Sequence, residues 1–145
     1  MIIGRRSGIV GDSKGFSHEY SAPHYRHSVV VEDDGKVGYA YLIDESGRIC
    51  ADVWLYNRCP APVKSNWENQ EAVPFANPIA YIHNAPQFLL PDGSSDISVD
   101  WDSDKAKIMI GNQVIGVLID GSRPGWAIQA RNDGPLAKVL LDDIK

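Results

Sequence analysis

The stretch His27-Ser-Val-Val-Val-Glu-Asp-Asp-Gly-Lys-Val-Gly-Tyr-Ala-Tyr41 decides the fold class. β-Branched and aromatic residues run into Asp33-Asp34-Gly35 and out again. A glycine where a tight turn needs positive φ, flanked by such runs, is a hairpin signature. The first strand is read at 28–32 and the second at 37–43. In the second, Val37, Tyr39, Tyr41 and Ile43 share one face, and Gly38, Ala40 and Leu42 share the other. With a three-residue Asp-Asp-Gly loop, His27 falls opposite Tyr41.

Working outward, Asp44-Glu45-Ser46-Gly47 is the next turn and 48–56 the third strand. A three-residue loop with Gly47 as a bulge pairs Asp44 with Arg48, Ile43 with Ile49, Tyr41 with Ala51 and Tyr39 with Val53. A one-residue slip would split the apolar sets across the sheet, so this register is expected. It sets Trp54 over the gap at Gly38. Tyr39, Tyr41, Ile43, Ile49, Ala51, Val53 and Leu55 then form the main core face. Asp52 shares the second face with Cys50, Trp54 and Tyr56. A carboxylate among aromatics is costly to desolvate, so that face is expected to be partly open, or covered by the 57–95 region with donors for Asp52.

Residues 57–95 hold Pro60, Pro62, Pro74, Pro78, Pro86 and Pro91, which forbid a long regular element; only 79–83 reads as a strand. Regularity returns with 97–101. A hairpin of 105–110 and 114–119 around Gly111-Asn112 follows, with Ile110 facing Gln113, Ile108 facing Ile115 and Ala106 facing Val117. Gly121-Ser-Arg-Pro-Gly125 turns the chain into a strand at 126–130. Leu136, Val139, Leu140 and Ile144 keep helical spacing behind a capping Asp133 and Pro135, which predicts a short C-terminal helix. Before residue 27 only Ile2-Ile3 and Ile9-Val10 suggest short edge strands. The expected fold is mostly β: a single domain, 1–145, whose antiparallel meander curls into a sandwich or half-barrel.

Composition narrows the function classes. The 145 residues carry a formal net charge of −5, which argues against nucleic acid, where a basic face supplies the affinity. No stretch reads as a signal peptide or membrane span, and the two cysteines, Cys50 and Cys59, read as reduced, so a cytoplasmic location is expected. No cofactor is expected.

The candidate constellations are thin. Glu32-Asp33-Asp34 beside His27 reads as a solvated turn. Asp100-Trp-Asp-Ser-Asp104 has the first three spacings of a calcium loop, but Lys105 and Gly111 stand where Gly and Glu are required. His18, His24 and His27 lack zinc-ligand spacing, so no metal site is expected. Cys59 with the remote His83 is no basis for a thiol nucleophile. Trp54, Tyr56, Trp67, Phe75, Tyr81 and Phe88 straddle the Pro-rich region. Such aromatics line grooves and protein interfaces, so Trp54, Tyr56, Trp67, Phe75 and Tyr81, with Asp52, are the candidate binding residues.

The block His27-Ser-Val-Val-Val-Glu-Asp-Asp-Gly-x-x-Gly-Tyr-x-Tyr41 resembles a family of small bacterial proteins classed as a conserved domain of unknown function. Asp52-Val-Trp-Leu-Tyr-Asn57 and Trp101-x-x-Asp104-x-x-Lys107-x-x-Ile110-x-Asn112 extend the resemblance, which implies no activity and no catalytic set. Strand 114–119 departs from it by lacking aromatic residues near its end. The negative charge, the absence of a catalytic motif and the aromatics concentrated in the long loop predict a non-enzymatic domain that binds another protein, immunity-like by its size and acidity. The alternative is a small hydrolase or isomerase using His27, Glu32 and Asp52.

Overall fold

The computed structural model describes residues 15–23, 26–63 and 76–145. They form two sheets. The first is a four-stranded antiparallel meander of β1 (Phe16–Ser21), β2 (Ser28–Asp33), β3 (Val37–Ile43) and β4 (Ile49–Asn57). The second has five strands in sequence order, β5 (Ile97–Asp102), β6 (Lys105–Ile110), β7 (Gln113–Ile119), β8 (Trp126–Ala127) and β9 (Lys138–Val139). All its pairs are antiparallel except the parallel β8–β9 pair. Neither sheet closes into a barrel, and among the described residues no helix is long and apolar enough to cross a membrane.

The first hairpin forms where expected, but not with the expected pairing. Val30 lies opposite Tyr41 and Asp33 opposite Gly38, so Asp33 ends the strand instead of entering the loop. The carboxylates explain this. Asp33 Oδ1 accepts from the Gly35 N–H at 2.8 Å, and Asp34 Oδ1 accepts from Lys36 and Val37 at 2.8 and 2.9 Å. Gly35 takes the positive φ of +88° that the turn requires. His27 precedes the ladder and does not face Tyr41.

The β3–β4 turn pairs Ile43 with Ile49, as read, but two β-bulges then overturn the remaining register. Cys50 and Leu55 each lack a ladder partner, so Ala51 faces Leu42, Val53 faces Ala40, and Trp54 faces Tyr39. The residue over Gly38 is Tyr56, not Trp54; a Cβ on Gly38 would stand 2.3 Å from the Tyr56 ring. The core face is accordingly Val29, Val31, Ala40, Leu42, Ala51 and Val53, all essentially inaccessible. Tyr41 and Ile43 are only half-buried and Ile49 is 44% exposed, which corrects their assignment to the core. A third bulge, at Ile115, sets Ile108 opposite Gly116 and Ala106 opposite Leu118.

The sheets share one hydrophobic core, into which Leu42, Val53 and Leu55 of the first bring their side chains beside Ile108, Ile115 and Leu118 of the second. The open edge of β4 is not left bare. Gly121 and Gly125 donate to the Cys50 and Asp52 carbonyls, both at 2.8 Å, and Trp54 N–H reaches the Leu136 carbonyl at 2.9 Å.

The C-terminal helix does not form. Lys138–Val139 form a strand instead, with Lys138 N–H on the Gly125 carbonyl at 2.8 Å and Leu140 N–H on that of Ala127 at 3.3 Å. Donors drawn to the neighbouring 125–127 segment are unavailable to a helix. Asp133 still serves as a local acceptor, taking the Val139 N–H at 2.8 Å. The strand expected at 79–83 is a 3-10 turn, Ile79–Tyr81, started by Pro78, with one bridge between Ile82 and Ala130. The strand expected at 126–130 ends at Ala127, and β1 was not anticipated. The segments Ile2-Ile3 and Ile9-Val10 lie outside the described residues.

Candidate functional site

The end of β4 and the segment 79–90 line an open cleft of about 530 Å³. Trp54, Tyr56 and Phe88 line its inner part, and Ile79, Leu89 and Leu90 its outer part. The inner residues are at most 8% exposed, whereas Leu89 is 87%, Ile79 46% and Leu90 37% exposed. Apolar surface thus runs from the interior out to an exposed rim. Its few polar members include His83, Asn84 and Gln129.

Side-chain amides hold this wall in place of a strand ladder, because its prolines cannot donate to one. Asn57 accepts from Trp54 Nε1 at 2.8 Å and the Asn77 N–H at 3.0 Å, and donates to the Asn77 carbonyl at 3.0 Å. Gln129, nearly buried, donates to the carbonyls of His83 and Ala85, both at 3.1 Å, and accepts from the Gln87 N–H at 2.9 Å. Two amide side chains therefore rivet an irregular segment to both sheets.

Behind the cleft lies a buried ionic group. Asp33, whose side chain is wholly inaccessible, accepts from the Tyr56 hydroxyl at 2.6 Å and from Arg58 Nε at 2.8 Å. Arg58 also donates to the Pro91 carbonyl and lies over the Tyr56 ring, 5.4 Å from its centroid. Tyr56 meets Phe88 edge-on at 6.1 Å. Burial, then the Asp33 carboxylate, hold the Tyr56 phenol protonated far above its usual range. This group ties the β2–β3 turn, the end of β4 and residues 88–91 together.

Of the sequence-level candidates, Trp54 and Tyr56 line the cleft, together with Phe88. Tyr81 does not line it; its ring packs over Gly134. Asp52 stands apart, its Oδ2 3.4 Å from Arg123 Nη1 in the 121–125 turn, so the donor comes from that turn and not from the 57–95 region. Its side chain is a quarter exposed, and burial raises its pKa against the opposing pull of Arg123. Trp67 and Phe75 lie outside the described residues, as does His24. Ile79, Leu89, Leu90 and Gln129 were not singled out in the sequence. The Leu89-Leu90 pair between Pro86 and Pro91 was the available signal, since two adjacent leucines in a proline-rich loop have no strand face to fill.

The other constellations fall into structural roles, and Asp33, read as part of a solvated turn, is instead buried against Tyr56 and Arg58. Asp100 and Asp102 lie in a hairpin, opposite Lys107 and Lys105. His18 meets Tyr20 edge-on within β1. His27, Glu32 and Asp52 do not line the cleft; His27 Nε2 instead lies 3.4 Å from Asp120 Oδ2. Burial pushes the Cys59 thiol up, and burial with the nearby Asp120 pushes that of Cys50 up to about 11, so both are protonated at neutral pH and poor nucleophiles. No family model, curated protein or solved structure matches this chain.

Proposed function

We propose that this chain is a non-enzymatic protein-interaction domain whose cleft receives apolar side chains of a partner polypeptide. The observation that carries the reading is the continuity of apolar surface from buried Trp54, Tyr56 and Phe88 to exposed Leu89, Leu90 and Ile79. Exposed apolar surface that continues into a concave site is characteristic of binding surfaces. The net charge of −5 favours a basic partner, in the manner of an immunity-like protein masking a basic effector. The resemblance of the 27–41 block to uncharacterised bacterial proteins brings no activity to the chain, so the cleft bears the argument.

The test places a photo-crosslinking residue at position 89 in the native cells, with the same probe at Leu141 as control. Leu141 is exposed and apolar but not part of the cleft lining. A defined polypeptide adduct at 89, absent at 141 and lost on Leu90→Asp, is the expected result. Equal labelling at both positions would overturn the reading. One observation favours a second reading: a cleft of about 530 Å³ is also the size of a small-ligand site, generally about 300–1,000 Å³. Saturable binding of an apolar fluorescent probe, abolished by Leu90→Asp, with no polypeptide adduct at 89, would support that form instead.

A further inference from the structure

At the opposite end of β4 from the cleft, three residues far apart in sequence converge. His27 immediately precedes β2, Cys50 is the bulged residue of β4, and Asp120 follows β7. A ligand atom from each lies within 4.8 Å of the other two, and His27 Nε2 is 3.4 Å from Asp120 Oδ2. We propose that His27, Cys50 and Asp120 form a binding site for a divalent transition-metal ion of the zinc type, clamping the two sheets together.

The chemistry of the three donors carries this. Imidazole nitrogen, thiolate sulfur and carboxylate oxygen together suit a borderline-soft ion and not calcium or magnesium, which take oxygen. Bond lengths of about 2.0–2.3 Å put neighbouring donors of a tetrahedral ion roughly 3.3–3.8 Å apart, so the present spacing needs only small side-chain adjustments. The backbone gives independent support. The bulge releases Cys50 from the ladder, and bulges commonly re-aim a side chain at a site. The Gly121 N–H then donates to the Cys50 carbonyl at 2.8 Å, which anchors the residue after Asp120 to Cys50 itself.

All three residues retain some exposure, giving an ion a path from solvent. Among the described residues the ion-pair partner of Asp120 is His27, itself a proposed ligand. On binding, Cys50 releases its thiol proton to solvent and His27 binds through an unprotonated ring nitrogen. Water fills the fourth position. This site is separate from the cleft, and either can fail without the other.

The experiment titrates Co(II) into the metal-stripped full-length protein, kept reduced with a phosphine. One equivalent is expected to give the intense near-ultraviolet thiolate-to-cobalt band with tetrahedral visible bands, and Zn(II) should displace it. His27→Ala, Cys50→Ala and Asp120→Asn should each weaken Co(II) binding at least tenfold, with Cys50→Ala also removing the thiolate band. His18→Ala should leave binding unchanged, and Ca(II) should not compete. Circular dichroism confirms that each variant is folded, and Asp120→Asn, a near-isosteric change at an exposed side chain, tests the site even if Cys50→Ala unfolds. A wild-type protein with no thiolate band, or folded variants binding Co(II) as tightly as wild type, would overturn the proposal.

Discussion

Removing the Arg58 side chain is the sharpest probe of how the cleft is held to the sheet. In Arg58→Ala the Asp33 carboxylate keeps the Tyr56 hydroxyl and the Gly35 N–H but loses the cation that balances it, while the Pro91 carbonyl loses a donor. Breaking a buried pair by deleting one partner costs about 3–5 kcal/mol, because an uncompensated charge stays buried. Asp33 is wholly inaccessible but Arg58 is 21% exposed, so the low end applies. We expect about 3 kcal/mol, which at about 2–4 °C per kcal/mol for a chain near this size lowers Tm by roughly 6–12 °C. Urea unfolding followed by circular dichroism measures the loss directly. The Asp33→Asn variant completes a double-mutant cycle, with a coupling of at least about 1 kcal/mol expected between neighbours in one network. A loss in Arg58→Ala below about 1 kcal/mol, the range of solvent-exposed pairs, would refute the claim that this pair is buried and ties residues 88–91 to β4.

Gly38→Ala should cost at least about 2 kcal/mol in the same assay, because a Cβ there meets the ring of Tyr56, a fully buried residue already fixed by Asp33. Val53→Ala should cost about 1–3 kcal/mol as a truncation at a fully inaccessible site, whereas Asp52→Asn at neutral pH should be neutral or slightly stabilising. The Asp52 pKa is raised on folding, so its contribution is fully present below the unfolded carboxylate value of about 3.9 and is lost as pH rises through the folded value. Unfolding titrations of wild type and Asp52→Asn between pH 3 and 7 should therefore show wild type losing stability relative to the variant as pH rises; the opposite trend would mean that Arg123 outweighs desolvation.

The existence of the strands was legible because β-branched runs and turn chemistry are local properties. Val29, Val30 and Val31 form such a run, Gly35 and Gly47 take the positive φ their turns require, and among the described residues six of nine strands lie where the sequence places them. β1 escaped notice although Phe16, His18 and Tyr20 alternate, because it carries no β-branched residue and Glu19, of a type depleted in strands, stands in its middle. Register beyond the turns was not legible. It depends on the bulged residues Cys50, Leu55 and Ile115, and a bulge is chosen by what both sheets must fit between them. A Cβ on Gly116 would stand 2.5 Å from a Leu55 methyl, so the second sheet leaves room for Leu55 only where it lacks a side chain. For the same reason Trp54 and Tyr56 were found as cleft residues by type alone, while Leu89 and Gln129 needed the fold. Leu136 and Leu140, four residues apart, share a face in an extended chain as well as in a helix, and both are buried here. Only the Gly125 and Ala127 carbonyls, supplied by the end of the 121–125 turn and by β8, decide which way its backbone donors go.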